Sequence, residues 1–378
     1  MPARNRNRPL EPAMIRHAIL TACLALLSVP ADAGDLGTVR TFQNWTAGCD
    51  NGRACRAVSM LAEDATGRWF LSLDRDAAAA APVRLTLMPQ SETYPRSGTL
   101  RLRAAGADLA TLKFGKDIRL EDDGLIIEDR NAVAAVLAAM RSASTLELVF
   151  EQQSAGAEVK ASISLVGAKA GLLWIDERQR RLNTVTALVR RGGKPASAVP
   201  VPPALPLIVA ERTTDGGPPP EVLPEAILRE MIRQSAGYCD EDGSGPDTDA
   251  KNMVRLGPGL VLASVRCFSG AYNFARAYFL IEEGTKPVVR PALFPRPVEQ
   301  KVEEDRELTP DNVLWNANFG PDSTEISHFS KGRGIADCGE TGVWRWDGRA
   351  FQTVLLTEMN SCSGVMAGYW PHTYSSRE

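Results

Sequence analysis

Seven cysteines, three histidines and one acidic loop are the side chains of this 378-residue chain best suited to bind a metal, move a proton or attack a bond. The run Trp45-Thr46-Ala47-Gly48-Cys49-Asp50-Asn51-Gly52-Arg53-Ala54-Cys55 places two cysteines around an Asp-Asn-Gly turn. Asn and Gly both tolerate the positive φ of a tight hairpin turn. A two-residue turn at Asn51-Gly52 would offset the cysteines by one position. A three-residue loop from Asn51 to Arg53 sets Cys49 opposite Cys55 at bridging distance, and this loop is favoured if the two pair. Five residues separate them, so the pair reads as a staple rather than a redox Cys-x-x-Cys motif.

The other chemistry-bearing residues are sparse. A Ser-His-Asp arrangement downstream of residue 33 would have to use His328 or His372. Ser363, in Cys362-Ser363-Gly364, lacks the Gly-x that precedes a nucleophile elbow. The cysteines are too far apart for the two-plus-two spacing of a zinc site. Gly332-x-Gly334 followed by Gly339 misplaces the third glycine of a dinucleotide fingerprint and reads as a turn. The loop from Asp240 to Asp249 carries five carboxylates, with Asp240, Asp242, Asp247 and Asp249 as the calcium candidates. Counted from Asp240, Gly245 falls at the sixth place of an EF-hand loop. Lys251, however, stands at the twelfth, where a bidentate Glu is needed, so a solvated loop is the expectation. No catalytic residue, metal or cofactor is therefore expected. Trp344, Trp346, Tyr369 and Trp370 are the candidate binding surface for a protein or glycan, with core packing as the alternative for those rings.

The start of the chain says where these groups would work. Met14-Ile15-Arg16-His17 precedes an apolar run from Ala18 to Val29 and then Ala31-Asp32-Ala33, the n-region, h-region and small-x-small site of an export signal. Cleavage is expected after Ala33, giving a periplasmic or secreted protein; translation starts at Met1 or at Met14. Residues 1–33 carry four Arg and two acids, so the 43 basic and 46 acidic residues of the whole chain become 39 and 44, a net charge of −5. Such a balance disfavours nucleic acid as a partner. No later stretch reaches the roughly 20 apolar residues of a membrane span. Cys23 leaves with the signal, and Cys49, Cys55, Cys239, Cys267, Cys338 and Cys362 remain. An even number in an exported chain predicts three disulfides. Local pairs, Cys49–Cys55, Cys239–Cys267 and Cys338–Cys362, need no crossing between domains. On the loop-entropy model they would contribute about 2.4, 3.6 and 3.5 kcal/mol.

Composition and periodicity supply the scaffold. Lys194 to Pro224 holds nine prolines and marks a linker, part of which, Ala204 to Ala210, is apolar enough to lie along a domain surface. The expected organisation is a signal at 1–33, a β-rich N-terminal domain with two helices at 35–193, a Pro-rich linker at 194–220 and a β-meander domain at 221–378. The class is α+β and β-rich: two domains of mainly antiparallel strands with a few short helices. Alternation predicts strands at 69–73, 83–87, 100–103, 145–150 and 160–166 in the first part, and at 260–265, 277–281 and 351–356 in the second. A helix capped by Asn131 is expected over 132–141, another over 168–181 with Arg178-Gln179-Arg180-Arg181 as its solvated end, and a third from Pro224, closed by Gly237. Asp347-Gly348 should turn a hairpin between Trp344-Arg345-Trp346 and Phe351.

With these motifs in view the chain resembles a bacterial family, domain of unknown function 1176. The resemblance is carried by W-x3-C-D-N-G-R-x-C, by Asp176 to Arg181, by Gly270-Ala271-Tyr272-Asn273 after Cys267, and by Gly332 to Gly339 before Trp344. It spans Trp45 to Pro371 and implies an exported Gram-negative protein with six shared cysteines and no assigned catalytic residue. The first half is also distantly similar to invasion-associated locus B proteins, and Ser269-Gly270-Ala271-Tyr272 is similar to a loop of periplasmic lysozyme inhibitors. The expected function is a non-catalytic binding or structural module of the cell envelope with a protein or glycan partner. The alternatives are an envelope hydrolase using His328 or His372, or a periplasmic enzyme inhibitor.

Overall fold

Alternating apolar and polar residues build the first half into two sheets facing one another. The computed structural model describes residues 36–61, 68–90, 94–121, 124–151, 158–211, 216–236, 238–239, 253–298, 310–320 and 324–377. In chain order the first half contains β1 (Thr38–Phe42), β2 (Trp45–Cys49), β3 (Cys55–Ser59), β4 (Trp69–Arg75), β5 (Val83–Pro89), β6 (Thr99–Ala104), β7 (Ala107–Lys113), β8 (Ile118–Glu121) and β9 (Gly124–Ile127). Helix α1 (Arg130–Ser142), β10 (Thr145–Glu151), β11 (Glu158–Ser164) and α2 (Ala168–Arg178) follow. Seven strands form one sheet in the order β1-β2-β3-β4-β5-β9-β8, and four form a second, β11-β10-β6-β7. Leu71, Leu73, Leu85 and Leu87 point from the first sheet to Leu100, Leu102, Leu148 and Phe150 of the second, and α1 and α2 close this core with Val136, Met140, Leu172 and Ile175. Trp69 stacks on Phe150 across it, ring centroids 5.0 Å apart.

The second half is built the same way. It runs through α3 (Glu225–Ser235), β12 (Val254–Gly257), β13 (Leu260–Ser269), β14 (Phe274–Glu282), β15 (Val288–Pro291), β16 (Val313–Trp315), β17 (Asn318–Phe319), β18 (Glu325–Lys331), β19 (Gly339–Trp346), β20 (Phe351–Met359) and β21 (His372–Ser375). One sheet is β12-β13-β14-β15 with β16 on β14, and the other is β17-β18-β19-β20-β21. Helix α3 covers one face of the former with Leu228 and Met231. The opposite face, with Leu262, Tyr278 and Leu280, meets Ile326, Trp344, Trp346 and Phe351 of the latter. Strands pair antiparallel in all four sheets, so the molecule is α+β and mostly β, with three short helices among the described residues.

The three disulfides are the local ones, Cys49–Cys55, Cys239–Cys267 and Cys338–Cys362. Cys49 lies directly opposite Cys55 in the β2–β3 ladder, and Asp50 N–H donates to the Ala54 carbonyl at 2.9 Å, which leaves the three-residue loop Asn51 to Arg53. The positive φ falls on Arg53, at 64°, rather than on Asn51 or Gly52. Asp50 makes this possible: its Oδ1 accepts from the N–H groups of Gly52 and Ala54 and holds the loop in place.

Several local expectations need correction. Helix α1 is capped by Asp129, whose Oδ1 accepts from Ala132 N–H at 2.7 Å, and Asn131 lies inside the first turn. Pro224 is the cap of α3 rather than its first helical residue, and Gly237 lies outside the described residues. Helix α2 stops at Arg178, and Arg181 is a buried strut instead of a solvated end. Its guanidinium donates to the carbonyls of Ala77, Ala78 and Ala79, which end-caps the β4–β5 connection.

The Pro-rich stretch is ordered against the end of the chain. Ile208 N–H donates to the Arg377 carbonyl at 2.9 Å, Arg377 N–H to the Pro206 carbonyl at 2.7 Å, and Glu211 N–H to the Trp346 carbonyl at 3.1 Å. Residues 34–378 form one compact unit.

Fully buried Asp176 is the polar hinge after α2. Its carboxylate accepts from the N–H groups of Leu188 (2.6 Å) and Val189 (2.8 Å). Replacing it with Ala strands these donors away from water, which costs about 1–3 kcal/mol per unsatisfied group. Asp176→Ala should therefore lower the urea midpoint by an amount equivalent to about 2–4 kcal/mol. A midpoint within error of the parent would contradict the assignment.

Candidate functional site

Because side chains alternate along a strand, the leucines that face the first core leave the intervening residues on the sheet's other face. There β3 presents Arg56 and Val58, β4 presents Phe70, Ser72 and Asp74, and β5 presents Arg84, Thr86 and Met88. The register pairs Arg56 with Asp74 and Asp74 with Arg84 in one row, and Ser72 with Thr86 in the next. Val58, Phe70 and Met88 complete this face as an apolar patch.

A segment from the far end of the chain covers that patch. Residues 362–371 cross it as a strap, with Val365 and Trp370 fully buried against Val58, Phe70 and Met88. The Trp370 indole N–H donates to the Val365 carbonyl at 2.9 Å, so the ring is buried without an orphaned donor. Gln90 Nε2 donates to the Gly364 carbonyl at 3.1 Å, and Leu61 N–H to the Ser363 carbonyl at 3.3 Å. Gly364 turns the strap with a φ of 86°, and a Cβ there would stand 2.9 Å from the Leu61 side chain. Cys362 is tied to Cys338, and Asp337 beside it accepts from both the Arg333 guanidinium and Gly364 N–H. Asp337, Cys338 and Cys362 lie close enough to suggest a metal set, but the two sulfurs are bonded to each other and the carboxylate is occupied. The Arg333 hydrogen bond holds the Asp337 carboxyl below its ordinary pKa.

Between strap and sheet lies a cleft of about 540 Å³ lined by the polar rows, with Tyr369 and Gly368 as one wall and Leu120, Glu121 and Gly124 at another edge. Arg56 Nε meets Asp74 Oδ1 at 2.6 Å and the same side chain reaches the Gly368 carbonyl at 3.4 Å, so it links the floor to the strap. Ser72 Oγ donates to Asp74 Oδ2 at 3.1 Å. Glu121 is ion-paired with Arg119, which also holds Glu128 at 2.7 Å. Arg84 is exposed and, among the described residues, has no hydrogen-bond or ion-pair partner. The arrangement offers one open guanidinium, the Thr86 hydroxyl and an aromatic wall, a set suited to holding a polar ligand.

The expected aromatic surface is not at the surface. Trp344 and Trp346 stand two residues apart on β19 and therefore face the same way, into the core between the two sheets of the second half. Trp344, Trp346 and Trp370 are at most 1% exposed, so none offers a ring to a partner. The Trp344 indole donates to the Pro295 carbonyl at 2.8 Å. Of the four, Tyr369 alone reaches the cleft.

Neither histidine lines it. His328 is buried with both ring nitrogens engaged: Nδ1 accepts from Trp315 N–H at 2.9 Å, which makes Nε2 the protonated nitrogen facing Glu340 at 3.0 Å. Burial lowers its pKa against the opposing pull of Glu340, and Arg296 lowers it further. His372 is exposed at the start of β21; the protein packed around its ring and the nearby Arg56 charge lower its pKa, while Asp50 and Asp74 act in the opposite sense. Ser363 Oγ bonds to the Ser361 carbonyl at 3.3 Å. The calcium candidates Asp240, Asp242, Asp247 and Asp249, and the signal at 1–33, lie outside the described residues.

Sequence reasoning missed the ladder of Arg56, Asp74 and Arg84. Its signal was present in the alternation of Val83-Arg84-Leu85-Thr86-Leu87, but only the register shows that the polar positions of three strands converge.

Fold and site together define a three-disulfide, β-rich protein whose C-terminal strap closes a polar cleft on its N-terminal sheet. The model of the family described as "Protein of unknown function (DUF1176)" matches residues 39–377, and the chain belongs to that family. It is 27% identical over 343 residues to "Uncharacterized protein YpfG" of Escherichia coli (strain K12), covering 89% of this chain and 93% of that protein. Among solved structures, invasion associated protein B from Bartonella henselae is 19% identical, and the match covers 38% of this chain and 99% of that one with a TM-score of 0.29. Three disulfides fit a non-cytoplasmic protein. Among the described residues, no helix is long and apolar enough to cross a membrane.

The two histidines give stability a predictable pH slope. Folding lowers both pKa values below the unfolded value of about 6.5, so the unfolded chain binds more protons near and below that pH. Their contribution is complete above the unfolded pKa and is lost as pH falls toward the folded values. The urea midpoint should drop between pH 7.5 and 5.5, with buried His328 contributing up to about 1 kcal/mol per pH unit and the exposed His372 much less. His328→Gln should flatten that slope, and an unchanged slope would contradict the burial account.

Proposed function

We propose that this protein is an exported binding module of the Gram-negative cell envelope and that the strap-walled cleft is its binding site. The observation that carries the reading is the cleft itself. A closed sheet face bears charged and hydroxyl side chains in adjacent rows, and a disulfide-anchored strap walls it at a size typical of small-ligand sites. The n-region, h-region and Ala31-Asp32-Ala33 site support export, as do the three disulfides. The lining residues include no histidine or cysteine, and both carboxylates, Asp74 and Glu121, are ion-paired with arginines. These features favour holding a ligand over converting it. The binding surface proposed here is thus the cleft around Tyr369 rather than the tryptophans.

The test is made on protein expressed with its signal and recovered from the periplasm, where the N-terminal residue should be Gly34. A panel of envelope-derived oligosaccharides and peptides is screened by thermal unfolding, with the products analysed by mass spectrometry. At least one ligand should raise the unfolding midpoint of the parent and leave Thr86→Trp, in which an indole fills the cleft, unshifted. Retention of the full shift in Thr86→Trp, or cleavage of the ligand, would overturn the proposal.

A further inference from the structure

We propose that the cleft takes a carbohydrate bearing a carboxylate and that Arg84 is the residue that selects the acid. This rests on the binding reading above and adds the chemical class of the ligand. The argument begins with which groups are already in use. Arg56 is held by Asp74 at 2.6 Å and by the Gly368 carbonyl, so it is a strut between floor and wall rather than a receptor. Asp74 accepts from both Arg56 and Ser72. Glu121 is engaged by Arg119, which it shares with Glu128. Arg84, directly across the ladder from Asp74, has no such partner among the described residues. A guanidinium is a planar fork of donors that matches a carboxylate with two parallel bonds. One guanidinium with one positive charge suits a singly charged carboxylate better than a dianionic phosphate, which would call for further open cations.

The rest of the lining identifies the carrier of that carboxylate. The floor is the face of a sheet, and β3, β4, β5 and β9 use their backbone groups in pairing with one another. Among the described residues the open strand edge at the cleft is that of β8, two strands away from β5, so a peptide paired there would lie beside the Arg84 row rather than over it. The site instead offers the Thr86 side-chain hydroxyl and the half-buried Tyr369 ring as a wall, Ser72 being buried and spent on Asp74. A sugar ring has matching features: a hydroxyl to share with Thr86, and a C–H face to lie against an aromatic ring. A volume of about 540 Å³ holds roughly one or two such rings.

Calorimetric titration of the oxidised full-length exported protein tests this, with an oligogalacturonate as the probe and the same oligosaccharide, its carboxylates reduced to alcohols, as the neutral counterpart. The acidic probe should bind the parent at least about tenfold more tightly than the neutral one, the range expected for a charge-assisted hydrogen-bonded pair. Arg84→Ala should remove that preference, with circular dichroism unchanged because the side chain is exposed. Equal binding of the two probes, no binding of the acidic probe, or an unchanged preference in Arg84→Ala would each overturn the assignment. A neutral probe that binds the parent and is excluded by Thr86→Trp would do so while leaving the cleft a binding site; that outcome separates failure of the acid selectivity from failure of the binding reading.

Discussion

Val365 and Trp370, pressed onto Val58, Phe70 and Met88, are the contact that the remaining architecture depends on. The first sheet is apolar on its inner face and carries an apolar patch, Val58, Phe70 and Met88, among the polar rows of its outer face. The inner face is covered by the second sheet and two helices of the same half, and the outer patch would be bare without the strap. Removing a fully buried aromatic typically costs about 3–5 kcal/mol, comparable to a large share of a domain's net stability. The strap therefore joins the two halves through a shared hydrophobic cluster, and its anchor, the Cys338–Cys362 disulfide, lies just upstream of the buried pair. The cleft is a consequence of this arrangement. Where the strap touches the sheet it excludes water, and where it stands off, the row of Arg56, Asp74 and Arg84 and the neighbouring Thr86 line the cleft.

The same contact explains how chemistry is divided over the molecule. The tryptophans that a sequence would offer to a partner, Trp344, Trp346 and Trp370, are spent on cores, with the Trp344 indole donating to the Pro295 carbonyl and that of Trp370 to Val365. His328 is likewise consumed in packing, between a backbone amide and Glu340. What stays available is a set of short polar side chains and one guanidinium on a rigid sheet. Rigidity favours recognition, since a preformed site loses little ordering entropy on binding.

Features set by near neighbours were legible in the sequence. The three disulfides could be paired because each joins cysteines within one local stretch. The Cys49–Cys55 register followed from the length of the Asn51 to Arg53 loop, and the hairpin around Asp347-Gly348 from its turn residues and aromatic flanks. Alternation located the strands of both halves. Features set by distant parts of the chain were not legible. Gln90 bonds to Gly364 across 274 residues of sequence, and nothing in either segment announces the other. The burial of Trp344 and Trp346 depends on a second sheet arriving on their side of β19. The convergence of Arg56, Asp74 and Arg84 depends on strand register, and Arg181 became a buried strut because four carbonyls of the β4–β5 connection, those of residues 76–79, await it. In each case composition gave the right residue type and the tertiary partner decided its role.

Hydrogen exchange on a Cys338→Ser/Cys362→Ser variant measures the strap's dependence on its anchor most directly. If the strap is a disulfide-pinned cover over an independently built sheet, amides of residues 361–370 and of Leu61 should lose protection, while those of α1, β4 and β10 keep theirs. A strap that stays protected with the disulfide removed, or a loss of protection that spreads equally through α1 and β10, would contradict the account.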